Sequence, residues 1–171
     1  MLSVPESTSF TWRLSVKTAP EKPRFIIVGY QTAKDGDQIK NQSTFDDVNL
    51  KNAYVTLNSD RYPVVDYNLS FSNQIFSRVY GDAALFRVKF FGMDELITQA
   101  NITPSDYKTL YPLLKFDVSK QKEKLKSSVV DIQIKANLTE NVPAKTRAFA
   151  LVISDKMLSF QSDGNKMSVV Y

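Results

Sequence analysis

Strict alternation of apolar and polar residues in the second half of this chain constrains the fold more than any other feature. In residues 129–138 (VVDIQIKANL), every second residue from Val130 to Leu138 is apolar and the residues between them are polar. A period of two over this length predicts a β-strand with one face in a core and the other in water. After a turn containing Pro143, residues 147–154 (RAFALVIS) are apolar at nearly every position, which predicts a strand covered on both faces. In a chain of 171 residues, such a strand suggests that one side of a two-layer sandwich is covered by something else.

The composition excludes most kinds of catalytic and metal chemistry. The chain contains no cysteine and no histidine. Nucleophile systems of the Ser–His–Asp or Cys–His type and thiolate metal sites therefore have no residues to build them. An enzyme on a β-sandwich frame whose metal is held mainly by histidines, as in the cupins, fails for the same reason. We expect no enzyme activity, no metal and no cofactor.

Other segments predict further strands and one helical insertion. Strands are predicted at residues 10–16, 24–31, 48–58, 62–71, 111–118, 129–138, 147–154, 158–161 and 167–171. Between residues 73 and 91 the apolar residues recur every three or four positions, which predicts an amphipathic helix capped by Ser72. Thr103 followed by Pro104 predicts the start of another helix. The predicted fold is an all-β, jelly-roll (Greek-key) sandwich of about eight strands, in a single domain over residues 1–171. The helical insertion, residues 72–110, falls between its fourth and fifth strands.

Four blocks of sequence resemble the second jelly roll of the double-jelly-roll capsid-like proteins. They are residues 10–32 (FTWRLSVKTAPEKPRFIIVGYQT), 45–63 (FDDVNLKNAYVTLNSDRYP), 111–132 (YPLLKFDVSKQKEKLKSSVVDI) and 140–155 (ENVPAKTRAFALVISD). This family includes the major capsid proteins of adintoviruses and of Polinton/Maverick-type elements, and related proteins encoded in invertebrate genomes. In the family, two fused jelly rolls form a subunit and three subunits form a pseudo-hexagonal capsomer. This chain is similar to the second half alone.

The resemblance implies a structural, capsid-like protein that self-associates into capsomers or a virion shell. Its expected partners are further copies of the chain, in a trimer or a pseudo-hexameric capsomer, or a separate first jelly-roll half. The alternative is a jelly-roll module repurposed to bind a glycan or a protein partner. No apolar run approaches 18 residues and no signal peptide is visible, so we expect no membrane span. The expected location is the virion if the protein is viral, and intracellular otherwise.

The strand predicted at residues 24–31 (RFIIVGYQ) carries the candidate interface. Its residues alternate between two apolar faces, and only one face can line the interior of a two-layer sandwich. Because Gly29 lets another chain segment approach closely, Phe25 and Ile27 beside it are assigned to the core. The opposite face is then the candidate interface: Ile26, Val28 and Tyr30.

Charged and aromatic side chains offer three further candidate sites, each with a simpler interpretation. The candidate weak phosphate contacts are Lys120, Lys122, Lys124 and Lys126. With a net charge of +4 and no arginine or stacking aromatic in that loop, we expect at most weak, non-specific binding of nucleic acid. The candidate calcium ligands, which ordinary turn chemistry explains better, are Asp35, Asp37, Asp46 and Asp47. The candidate sugar-binding aromatics, which packing in a core or an interface explains better, are Trp12, Tyr30 and Tyr54.

Overall fold

Ten strands and three helices form the part of the chain that the computed structural model describes, residues 1–14, 22–93, 102–121, 131–155, 159–162, 164 and 167–170. The strands are β1 (Leu2–Ser3), β2 (Ser9–Leu14), β3 (Lys22–Thr32), β4 (Leu50–Leu57), β5 (Asp60–Tyr62), β6 (Leu114–Asp117), β7 (Ile132–Leu138), β8 (Thr146–Asp155), β9 (Ser159–Ser162) and β10 (Met167–Val170). The helices are α1 (Ser77–Ala84), α2 (Phe86–Phe91) and α3 (Pro104–Leu110).

The first eight strands form two four-stranded antiparallel sheets. Sheet A has the order β1-β8-β3-β6, and sheet B has the order β2-β7-β4-β5. The first strand thus pairs with the eighth, the second with the seventh, the third with the sixth and the fourth with the fifth. This nested pairing is the topology of a jelly roll, so the predicted fold class is confirmed. After it, β9 and β10 pair with each other in a separate hairpin.

The core lies between the two sheets. The alternation of β7 is confirmed from Ile132 to Leu138, where every second side chain is buried. The other buried apolar strand residues include Phe10, Ile26, Val28, Tyr30, Ala53, Val55, Leu57, Leu114, Phe116 and Ala148. Beside the sheets, a stack of Phe71, Phe76 and Tyr107 continues the same core into the helical insertion.

The face of β3 that was expected to be an interface is core. Ile26 and Val28 are 0% exposed and Tyr30 is 1% exposed, so none of the three forms part of the surface of the chain. Their neighbours across the ladder on β6 and β8 explain this, because those residues also point between the sheets. The close approach expected at Gly29 does occur: a Cβ there would lie 2.5 Å from Phe45 Cδ1. However, Phe45 lies on the outer side of sheet A, so the assignment of the two faces was wrong.

The helical insertion begins later and is more broken than its periodicity predicted. Ser72 does not cap a helix, because residues 70–75 form a turn closed by a bridge between Ser70 and Ile75. The helix begins at Ser77 and breaks after Ala84, which separates α1 from α2. The start predicted at Thr103 is confirmed, since its side chain accepts a hydrogen bond from Asp106 N–H (3.1 Å) and Pro104 follows it.

Two strand predictions also need correction. Of the strand predicted at residues 62–71, only Tyr62 belongs to a strand, as the last residue of β5. Further along the chain, Leu69 N–H donates to the Lys51 carbonyl (2.7 Å) at the edge of sheet B. The two-residue β1 was not predicted, so the insertion falls between the fifth and sixth strands. The predicted strand ends at residues 15–16, 129–130, 158 and 171 lie outside the described residues. No helix in the described part of the chain is long and apolar enough to cross a membrane.

Candidate interaction surfaces

The outer faces of the two sheets differ in chemistry. On sheet B the outward side chains are polar, with one aromatic ring: Thr11, Arg13, Tyr54, Thr56, Gln133, Lys135 and Asn137. The Tyr54 ring is covered by the Arg61 guanidinium, 3.9 Å from its centroid. On sheet A the outward side chains of the two central strands are largely apolar: Phe25, Ile27, Phe149, Leu151 and Ile153. An apolar outer face needs a cover, so sheet A is the surface on which to look for an interaction.

The helical insertion covers one end of this face. Phe25 is buried under α2, with its ring centroid 5.2 Å from that of Phe86 and 6.0 Å from that of Phe90. Arg24 Nη2 donates to the Lys89 carbonyl (3.2 Å), which ties α2 to β3. Lys115 Nζ lies 4.8 Å from the Phe86 ring centroid, and burial lowers the pKa of this lysine. Through these contacts the chain itself covers part of the outer face of β3.

The loop before β4 covers the other end. Phe45 lies over Gly29 and meets Phe149 edge to face, with 6.5 Å between the ring centroids. Between the two covers lies the pair of Ile27 and Leu151, which are opposite each other in the β3–β8 ladder. Leu151 is 57% exposed. The prediction that residues 147–154 form a strand covered on both faces was therefore wrong at the centre of β8.

Next to Leu151, the edge of β8 that faces away from β3 has no neighbouring strand in the described part of the chain. The short β1 pairs only with Arg147 and Ala148. From residue 150 to residue 154, the side of β8 away from β3 pairs with no strand in the described part of the chain. We call residues 150–154 the open edge of β8; their sequence is ALVIS, with neither a charge nor a proline.

The charged residues suggested by the sequence do not converge on a site. Lys120 is exposed, and Lys122, Lys124 and Lys126 lie outside the described residues. The four aspartates are engaged separately: Asp35 pairs with Arg147, Asp37 with Lys40, Asp46 with Lys34, and Asp47 accepts from Asn49 N–H. Each carboxylate therefore acts within its own turn or ion pair, as the interpretation from turn chemistry predicts.

The three candidate sugar-binding aromatics do not share a surface. Tyr30 is buried between the sheets, Trp12 is half-buried on the inner side of β2, and Tyr54 lies on the outer side of sheet B. A cleft of about 930 Å³ lies elsewhere, between β1, β8 and the loop after β3. Its lining includes paired charges such as Arg147 with Asp35 and Lys40 with Asp37, and no aromatic ring. Small-molecule pockets are usually lined mainly by apolar and aromatic side chains, whereas this cleft offers only Val4, Ala33 and Ile39 among polar and charged residues.

The nested strand order and the apolar outer face of sheet A define a jelly-roll protein without an evident small-molecule site in the residues described. A family model described as a double jelly roll-like domain matches residues 2–158. The matched residues contain all eight jelly-roll strands and end immediately before β9. The chain belongs to the double jelly roll-like domain family. Neither a curated protein nor a solved structure matches the chain significantly.

Proposed function

We propose that this protein is a structural, capsid-like protein whose jelly roll associates with further copies to build capsomers or a virion shell. The observation that carries the proposal is the family match, which spans one complete jelly roll. The surface chemistry supports it. Sheet A exposes apolar side chains at Leu151 and, on the adjacent α2, at Phe91, and soluble monomers rarely leave such a face uncovered.

A non-catalytic role follows from the residues available. The chain has no histidine or cysteine to act as a general base, a nucleophile or a soft metal ligand. The tyrosines with strongly raised pKa values, Tyr30, Tyr67 and Tyr107, owe that shift chiefly to burial, and each packs in the core. They contribute to stability rather than to chemistry.

The mass of the particle in solution tests the proposal. A capsid-like protein forms trimers, pseudo-hexamers or larger shells, and negative-stain images of such particles show rings or closed shells. The alternative, a jelly-roll module that binds a glycan or a protein partner, remains a monomer at micromolar concentration. A monomer that binds a carbohydrate array or a defined protein partner would replace the proposed function with this alternative.

A further inference from the structure

We propose that the open edge of β8 pairs with the open edge of β8 in a second copy of the chain. The two strands run antiparallel about a two-fold axis at Val152, and the two copies of sheet A join into one continuous sheet in the order β6-β3-β8-β8-β3-β6. The inference rests on the proposed function, because it names one contact by which copies associate.

The direction of the backbone groups in β8 is the first argument. Val4 N–H donates to Thr146 O (3.0 Å) on the side of β1, whereas Ala33 N–H donates to Lys145 O (3.1 Å) on the side of β3. Because successive residues in a strand direct these groups to alternate sides, the even-numbered residues of β8 direct theirs away from β3. The open edge therefore presents the N–H and C=O groups of Ala150, Val152 and Ser154 to an incoming strand.

The lack of protection along this edge is the second argument. Natural sheets block an open edge with lysine, proline, a bulge or a covering segment. Within residues 150–154 the sequence provides no charge and no proline. In the described part of the chain, β1 ends before this stretch and no other strand takes its place. An apolar edge with free backbone donors and acceptors is a template for strand addition.

The side chains are self-complementary in the proposed register. With Val152 opposite its own copy, Ala150 lies opposite Ser154 of the second copy and Leu151 lies opposite Ile153 of the second copy. Leu151 and Ile153 both point outward, so the axis brings four apolar side chains together where Leu151 is 57% exposed. Cross-strand pairs of apolar side chains stabilise a sheet. Because the ladder stops at Ala150, each β1 keeps its place beside Arg147 and Ala148.

The charges at the two ends of the edge favour the antiparallel direction. Arg147 precedes the open edge and Asp155 follows it, and both belong to the outward-facing set. In this register Asp155 lies opposite Phe149 of the second copy and diagonally from its Arg147. Each charge already has an ion pair in its own chain, Arg147 with Asp35 and Asp155 with Arg24 (3.9 Å). An antiparallel pair therefore adds a second opposite charge nearby, whereas a parallel pair would bring like charges together. The pairing also uses each open edge once, so it closes as a two-fold contact instead of growing into a fibre.

A lysine at the open edge tests the contact. Leu151→Lys places a charge opposite Ile153 of the second copy, and the two-fold axis repeats it at a second position. We expect the dissociation constant of the two-fold contact to rise about tenfold or more, measured by sedimentation equilibrium. The matched control is Val65→Lys, which replaces another exposed apolar side chain (60% exposed) that follows β5 of sheet B, away from the edge, and should leave the constant unchanged. Thermal melts establish that both variants fold.

A single cysteine tests the register. The chain has no cysteine, so Val152→Cys introduces a unique thiol on the proposed axis. Residues that form a hydrogen-bonded antiparallel pair have Cα atoms about 5.5 Å apart, which a disulfide can bridge. Mild oxidation should link Val152→Cys into a dimer that a reductant separates. Thr11→Cys, on the outer face of sheet B, is the control and should remain unlinked.

Amide hydrogen exchange in the unmodified protein gives a third readout. On dilution, the amides of Ala150, Val152 and Ser154 should lose protection, while that of Leu151, directed towards β3, stays protected. Protection of all four at every dilution would contradict the inference, since the edge would then be covered within one chain. An unchanged dissociation constant in Leu151→Lys together with no cross-link at residue 152 would also overturn it.

These results separate the edge contact from the proposed function. Trimers, hexamers or shells that persist in Leu151→Lys contradict the edge contact and leave the capsid-like function standing. A cross-linked dimer that never forms a larger particle supports the edge contact and contradicts the capsid-like function.

Discussion

Two leucines on opposite faces of sheet A provide a matched test of which face is core. Leu114 on β6 is 1% exposed and points between the sheets, whereas Leu151 on β8 is 57% exposed and points outward. Replacing a fully buried leucine by alanine removes its burial and leaves a cavity, which costs roughly 2–5 kcal/mol of the free energy of unfolding. Full burial of a leucine is worth about 1.5–3 kcal/mol, and less than half of the Leu151 surface is covered, so Leu151→Ala should cost about 1 kcal/mol or less.

Equilibrium unfolding in urea measures both free energies, at a protein concentration low enough for the chain to be monomeric. We expect Leu114→Ala to lower the free energy of unfolding by at least about 1 kcal/mol more than Leu151→Ala does. A difference of that size separates the melting temperatures by about 2–4 °C for a chain of this length. Equal losses, or a larger loss in Leu151→Ala, would refute the assignment of the inner face and with it the whole two-sheet packing.

Three further predictions follow from burial and charge. Val28→Lys should unfold the protein, because an unpaired buried charge costs several kcal/mol against a total stability of roughly 5–15 kcal/mol, whereas Ile27→Lys should keep a cooperative melt. Burial raises the pKa of Tyr30 above its usual value near 10, so its contribution to stability is complete below pH 10 and is lost as the pH rises further. Above pH 10, Tyr30→Phe should therefore lose less of its free energy of unfolding than the unmodified protein does, by up to about 1.4 kcal/mol per pH unit. Urea unfolding at stepped pH measures this, and the same slope of unfolding free energy against pH in both proteins would contradict the burial of Tyr30. Nucleic-acid binding should collapse between roughly 50 and 200 mM salt, and a sequence-selective complex that survives the higher salt would show that the net charge of +4 understates a real site.

The strands whose two faces differ in polarity could be predicted from the sequence. In β7 the polar side chains alternate with apolar ones, so both the strand and its inner face follow from the period of two. In β3 both faces are apolar, and periodicity separates the two sets without telling which set is inside. Which set lies inside depends on Phe45 and α2, which come from distant parts of the chain and cover the outer face. Gly29 correctly indicated a close contact but not the side of the sheet that makes it.

The open edge shows a different limit of prediction from sequence. Residues 147–154 give a clear strand signal, but whether that strand has one neighbour or two depends on the length of its pairing partner. That partner is β1, which is only Leu2–Ser3 and has no periodicity to detect. The apolar period correctly predicted the helical insertion, but it placed the start of the helix too early. Ile75 fits the helical spacing, yet it lies in the turn at residues 70–75.

The mass of the unmodified protein in solution, compared with that of Leu151→Lys, tests the central claim most directly. The proposed capsid-like function predicts particles of at least three chains of 19.4 kDa each, and the edge contact predicts smaller particles for the variant under the same conditions. A single 19.4 kDa species for the unmodified protein at every micromolar concentration would contradict self-association as the function of this jelly roll.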